Sequence, residues 1–179
     1  MPTVLIIEDE PRIDRDMDEI TNSVPAQKDI MKDILQAGGY EALIAHGQNQ
    51  ALSILKLREG IDLITCDGGI WKNNGKAEEL GKDIIPAIRA SGYDKPIAYI
   101  SFSNPGKELL QEIGASVFVR KQVLEETLIP LIHAMINGNP NPPLPEHSYL
   151  VYSSNDKLKN QRPEQIIKNE VSNYPTFGF

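Results

Sequence analysis

The sequence predicts a doubly wound α/β domain, a (βα)5 unit whose five-stranded parallel sheet lies between two helical layers. Two observations predict it. Short apolar runs alternate with longer segments of helical period, and the runs number five. A strand that is apolar along its whole length is buried on both faces, as happens when helices cover a parallel sheet from both sides. The runs are Val4-Leu5-Ile6-Ile7, Ala42-Leu43-Ile44-Ala45, Leu63-Ile64-Thr65-Cys66, Ile97-Ala98-Tyr99-Ile100 and Val117-Phe118-Val119. Helices are expected around residues 26–37, 48–58, 76–90, 105–113 and 122–137. Gly38-Gly39 stops the first, because glycine accepts the left-handed conformation that closes a helix. Leu124, Leu128, Leu131, Ile132 and Met135 trace the buried face of the last. Pro86 and Pro130 fall inside two of these segments, where each removes a backbone N–H, so a kink or a late start is expected there.

A chain of 179 residues holds one ordinary domain and an appendage. Its 40% hydrophobic and 24% charged residues exclude wholesale disorder. Eighteen basic against 25 acidic residues give a net charge of −7, which excludes the cationic field that grips nucleic-acid backbones non-specifically. Cys66 is the single cysteine, the N-terminus lacks a basic leader, and no window approaches a bilayer-spanning apolar stretch; a cytoplasmic location is expected. The proline run Asn139-Pro140-Asn141-Pro142-Pro143-Leu144-Pro145 divides the chain. A domain over residues 1–138 is expected, then a Pro-rich linker and short C-terminal tail over 139–179 with one helix at 163–171. That tail is too small and too weakly basic for a DNA-reading module. Residues 12–27 lengthen the first connection beyond what a βα unit needs and read as an insertion. Its acids, Asp14, Asp16, Asp18 and Glu19, suit either a solvated helix face or a docking lip over the site.

In a doubly wound sheet the ligand crevice lies beyond the carboxyl ends of the strands. Glu8-Asp9-Glu10 ends the first strand here, Asp67 the third and Ser101 the fourth, while the fifth leads into Lys121. Converging carboxylates repel one another unless a cation is present, and Mg2+ with its octahedral oxygen shell suits them. Lys121 adds a fixed positive charge, and Ser101 a hydroxyl.

In position and order these residues resemble the receiver domain of two-component response regulators, over residues 3 to about 137. Glu8-Asp9 is similar to the acidic pair after the family's first strand, Asp67 to its phospho-accepting aspartate, Ser101 to its hydroxyl residue and Lys121 to its lysine. Phe118 stands where the family often has a switch aromatic. The resemblance implies a flavodoxin-like three-layer sandwich and a stand-alone receiver. Asp67 would accept a phosphoryl group from a sensor histidine kinase or phosphotransfer protein, assisted by Lys121, Ser101 and Mg2+ held by Glu8, Asp9, Asp67 and the Gly69 carbonyl. Ser101 and Phe118 would then switch a surface read by a downstream protein partner, with no direct DNA or membrane binding. Such a domain assists its own phosphorylation and dephosphorylation and is not a conventional turnover enzyme.

Two departures keep other readings open. Gly68-Gly69-Ile70-Trp71 follows Asp67 where the family has a hydrophobic pair and a proline, which implies a more flexible loop, and Gln122 follows Lys121 where a proline is usual. A phosphorylation-independent pseudo-receiver, a protein-binding scaffold of the same fold, is the alternative. A small-molecule phosphatase with an aspartyl intermediate is the third, although Glu8 and Glu10 put glutamates where its aspartates belong. Simpler roles also stand beside the functional ones. Phe118 suits the core, Ser103 suits a helix cap, and Cys66 reads as a small buried hydrophobe. His46, His133 and His147 have no ligand spacing.

Overall fold

The computed structural model describes residues 1–8, 27–71, 77–78, 80–121, 124–139, 143–144 and 147–151. The chain begins β1 (Thr3–Glu8), α1 (Gln27–Ala37), β2 (Glu41–His46), α2 (Gln48–Leu57) and β3 (Ile61–Asp67). It continues through β4 (Ile70–Trp71), β5 (Ala77–Glu78), α3 (Leu80–Ala90), β6 (Ile97–Ser101) and α4 (Lys107–Ile113). It closes with β7 (Val117–Arg120), α5 (Leu124–Ile136) and β8 (Tyr149–Leu150). Each of the five apolar runs lies inside one of the long strands, and each expected helix is present. Of the insertion expected at 12–27 only Gln27 is described, as the first residue of α1; residues 12–26 and the helix expected at 163–171 fall outside the described residues.

The main sheet has the order β2-β1-β3-β6-β7-β8. Its first five strands are parallel, and β8 pairs antiparallel with β7. The chain steps from β1 outward to β2 and then back across β1 to β3, so the connections diverge above β1 and β3 and leave a crevice at their carboxyl ends. Glu8 and Asp67 end those two strands.

Side chains alternate across a strand with period two, so both faces of these strands must be apolar. Leu5, Ile7, Ile64, Cys66, Ile97, Tyr99 and Phe118 pack with Ile84, Ile85, Ile88, Leu110 and Ile113 on one face. Val4, Ile6, Leu63, Ala98, Ile100, Val117 and Val119 meet Met31, Leu35, Leu128, Leu131 and Ile132 on the other. Each full burial of such an aliphatic side chain is worth about 1.5–3 kcal/mol. The close of α1 follows its glycines: Gly39 has φ 83°, and the Tyr40 N–H donates to the Leu35 carbonyl at 3.0 Å.

Three details differ from expectation. Pro86 and Pro130 lie inside α3 and α5, so neither proline marks the start of its helix. Both rings are exposed, so the carbonyl that each leaves without a helix donor lies on the solvent side of its helix. The third helix starts at Leu80 rather than near 76, because Ala77–Glu78 first pairs antiparallel with Ile70–Trp71. The sheet also gains a sixth strand, since residues 149–150, expected in the tail, form β8 against β7 and leave Val151 fully buried. Among the described residues no helix is long and apolar enough to cross a membrane.

Candidate functional site

Asp67 is the last residue of the central strand β3 and is only 9% exposed. Its two carboxylate oxygens have separate partners. The Lys121 ammonium, just past β7, pairs with Oδ2, and the Gly69 N–H donates to Oδ1 at 3.1 Å. Both members of the ion pair are nearly buried, where little water competes for either charge. The Lys121 ammonium also lies 5.4 Å from the centre of the Phe102 ring, a cation–π contact on its outer side.

The sheet brings the other expected residues to the same end. Ser101 ends β6 beside β3, one residue past the Ile100 that pairs with Asp67, and it is buried. Its Oγ accepts the Ser103 N–H at 3.3 Å, which closes a turn at the start of the β6–α4 loop. Glu8 is buried at the end of β1, one step past the paired Ile7 and Cys66 and so level with Asp67. Asp9 lies outside the described residues. Phe118 is 1% exposed and sits between Tyr99 and Tyr149, with ring centres 6.4 and 5.2 Å away. It is a core ring beside the site.

Gly68 does not behave as the flexible loop residue the sequence suggested. Its N–H donates to the Ile100 carbonyl and its own carbonyl accepts the Tyr99 hydroxyl, each at 2.8 Å. A Cβ at this position would run into the Tyr99 ring, so glycine is required by close approach. Ser103 is not a helix cap either: the N-cap of α4 is Gly106, with no side-chain cap bond. Cys66 is fully buried, and burial, reinforced by the neighbouring Asp67 charge, pushes its thiol pKa upward. This suits an inert packing role.

The hard carboxylate oxygens of Glu8 and Asp67 at one sheet end are donors of the kind Mg2+ takes. Among the described residues no group of three or more metal-ligating side chains converges. His46 is exposed at the end of β2, and His133 Nδ1 lies 3.3 Å from the Tyr40 hydroxyl, so neither joins the site. Sequence reasoning missed Tyr99, Asn104 and Tyr149. Tyr99 was hidden by an otherwise aliphatic strand, and the signal for Tyr149 was the β-prone run Tyr149-Leu150-Val151-Tyr152 after the prolines.

No family model and no curated protein sequence matches the chain. Solved structures do. The receiver domain of a Francisella response regulator superposes with a TM-score of 0.55 at 16% identity, covering 76% of this chain and 98% of that one. A response regulator receiver domain protein from Clostridium thermocellum gives 0.56 at 22% identity over 76% and 95%. A chemotaxis protein of Vibrio cholerae gives 0.56 at 19% identity over 75% and 98%. At these identities the likeness is one of fold. The chain has the receiver-domain fold of response regulators, with five helices alternating with mainly parallel strands among the described residues.

Proposed function

We propose that this chain acts as a receiver, which takes a phosphoryl group on Asp67 from a sensor histidine kinase or phosphotransfer protein and relays its state to a protein partner. One observation carries the reading: a nearly buried Asp67–Lys121 pair at the topological switch point of a receiver fold. An aspartate there is a nucleophile with a cation already beside the position where phosphoryl charge would arrive. A carboxylate oxygen of Asp67 bonds to phosphorus while the bond from phosphorus to the donor imidazole nitrogen breaks. The leaving imidazole keeps that electron pair and is protonated. The product is an acyl phosphate whose added charge faces the Lys121 ammonium and the Ser101 hydroxyl. Glu8, Asp9, Asp67 and the Gly69 carbonyl would hold Mg2+, whose contribution is charge compensation on the phosphoryl oxygens. In this reading residues 1–138 carry the chemistry in the cytoplasm, and Ser101 and Phe118 respond to it.

A second reading, the phosphorylation-independent scaffold, is favoured by the engagement of both Asp67 oxygens in the unmodified chain. Incubation with acetyl phosphate and Mg2+ separates the two. Intact-protein mass spectrometry under cold, acidic conditions should show one added phosphoryl group, absent in Asp67→Asn. No addition with acetyl phosphate or with a panel of histidine kinases would put the scaffold first.

A further inference from the structure

The segment that forms β8 touches both loops that carry the site. On one side, the Tyr149 hydroxyl donates at 2.7 Å to Oδ1 of Asn104, in the loop that begins at Ser101, and the same oxygen accepts the Gly106 N–H at 2.9 Å. On the other, the Arg120 N–H donates to Ser148 Oγ at 3.1 Å, and the residue after Arg120 is Lys121. The Tyr149 ring covers Phe118. The Val151 N–H donates to the Ser116 carbonyl, and its own carbonyl accepts from the Gln111 side chain.

The hold is slight. The strand pairing spans two residues, Val117 with Leu150 and Phe118 with Tyr149. Pairing this short opens at low cost. A cleft of about 330 Å3 lies between Phe102 and Asn104 on one side and Arg120, Ser148 and Tyr149 on the other, which gives the β6–α4 loop room to move. The segment follows a stretch whose sequence holds four prolines between Asn139 and Glu146.

We propose that the β7 edge is an interaction surface occupied in the unmodified protein by residues 147–151 of the chain itself, a strap that leaves when the charge at Asp67 changes. A new charge at Asp67 draws on Lys121 and Ser101, and each shift pulls an anchor of the strap, Arg120 through its neighbour and Asn104 through its loop. Release bares the β7 edge and the Phe118 ring, a surface that takes an extended strand as it takes β8. This inference rests on the reading of Asp67 as phospho-acceptor only for the natural trigger.

The test is hydrogen exchange by mass spectrometry on the full chain with and without acetyl phosphate and Mg2+, with intact mass read from the same sample. With a phosphoryl group added, exchange at residues 116–120 and 147–151 should rise at least tenfold. Addition of the group with unchanged exchange there overturns the strap. If no group adds from acetyl phosphate and none from the histidine kinase panel, the phospho-acceptor reading fails and Asp67→Asn decides the strap, since it removes the charge that holds Lys121. Faster exchange at 147–151 in that variant supports coupling, and wild-type exchange overturns it. Tyr149→Phe, which keeps the ring and loses the bond to Asn104, should raise strap exchange while α1 and β1 stay protected; equal exchange in the variant and wild type would overturn the role of that anchor.

Discussion

Lys121 reaches Asp67 across an intervening strand: β3 and β7 are separated by β6, and the ammonium–carboxylate pair closes over the end of β6. The pair therefore ties three strand ends, including the one that carries Ser101. Removal of one partner leaves an uncompensated, nearly buried charge. Lys121→Ala should cost about 3–5 kcal/mol of stability by denaturant unfolding. The double variant Asp67→Asn/Lys121→Ala should be less destabilised than the two single losses added together, because no lone charge remains.

Gly68 is fixed by contact with Tyr99. Gly68→Ala pushes a methyl group into the ring and should lower stability by about 1–3 kcal/mol, read from the urea midpoint. A wild-type midpoint would mean that the ring yields freely.

Cys66 should ignore thiol reagents in the native protein and react at the rate of an open thiol in guanidinium. Its raised pKa also fixes a sign. The unfolded thiol ionises first, so its contribution to stability is complete below its ordinary value of 9.0 and is lost as pH rises above that. Cys66→Ala should flatten the alkaline fall in melting temperature.

Asp62 supplies the opposite limb. Burial raises its pKa, but the Thr3 N–H at 2.9 Å and the Lys95 ammonium outweigh this and hold the carboxyl below its ordinary 3.8. Its contribution is present above that value and is lost as pH falls through the depressed one. Asp62→Asn should therefore weaken the acid dependence of stability below pH 4, measured by thermal melts, and leave the alkaline limb alone.

The fold was legible because each long strand is apolar on both faces, a pattern that leaves few other architectures. Asp67, Ser101 and Lys121 were legible because they follow strand ends, and all three lie at one end of the sheet. What stayed hidden was long-range. That Gly68 is pinned rather than loose depends on Tyr99, 31 residues away. That residues 149–150 complete the sheet depends on an edge strand's unpaired groups, which local sequence does not display. The start of α3 slipped for the same reason, since the β4–β5 pairing competes with helix formation.

Asp67 is the one residue proposed to take a phosphoryl group. Borohydride reduces an acyl phosphate to a primary alcohol, so protein treated with acetyl phosphate and Mg2+, then reduced and digested, should carry homoserine at position 67 alone. Homoserine at another aspartate, or at none after treatment with acetyl phosphate and with the histidine kinase panel alike, would contradict the assignment.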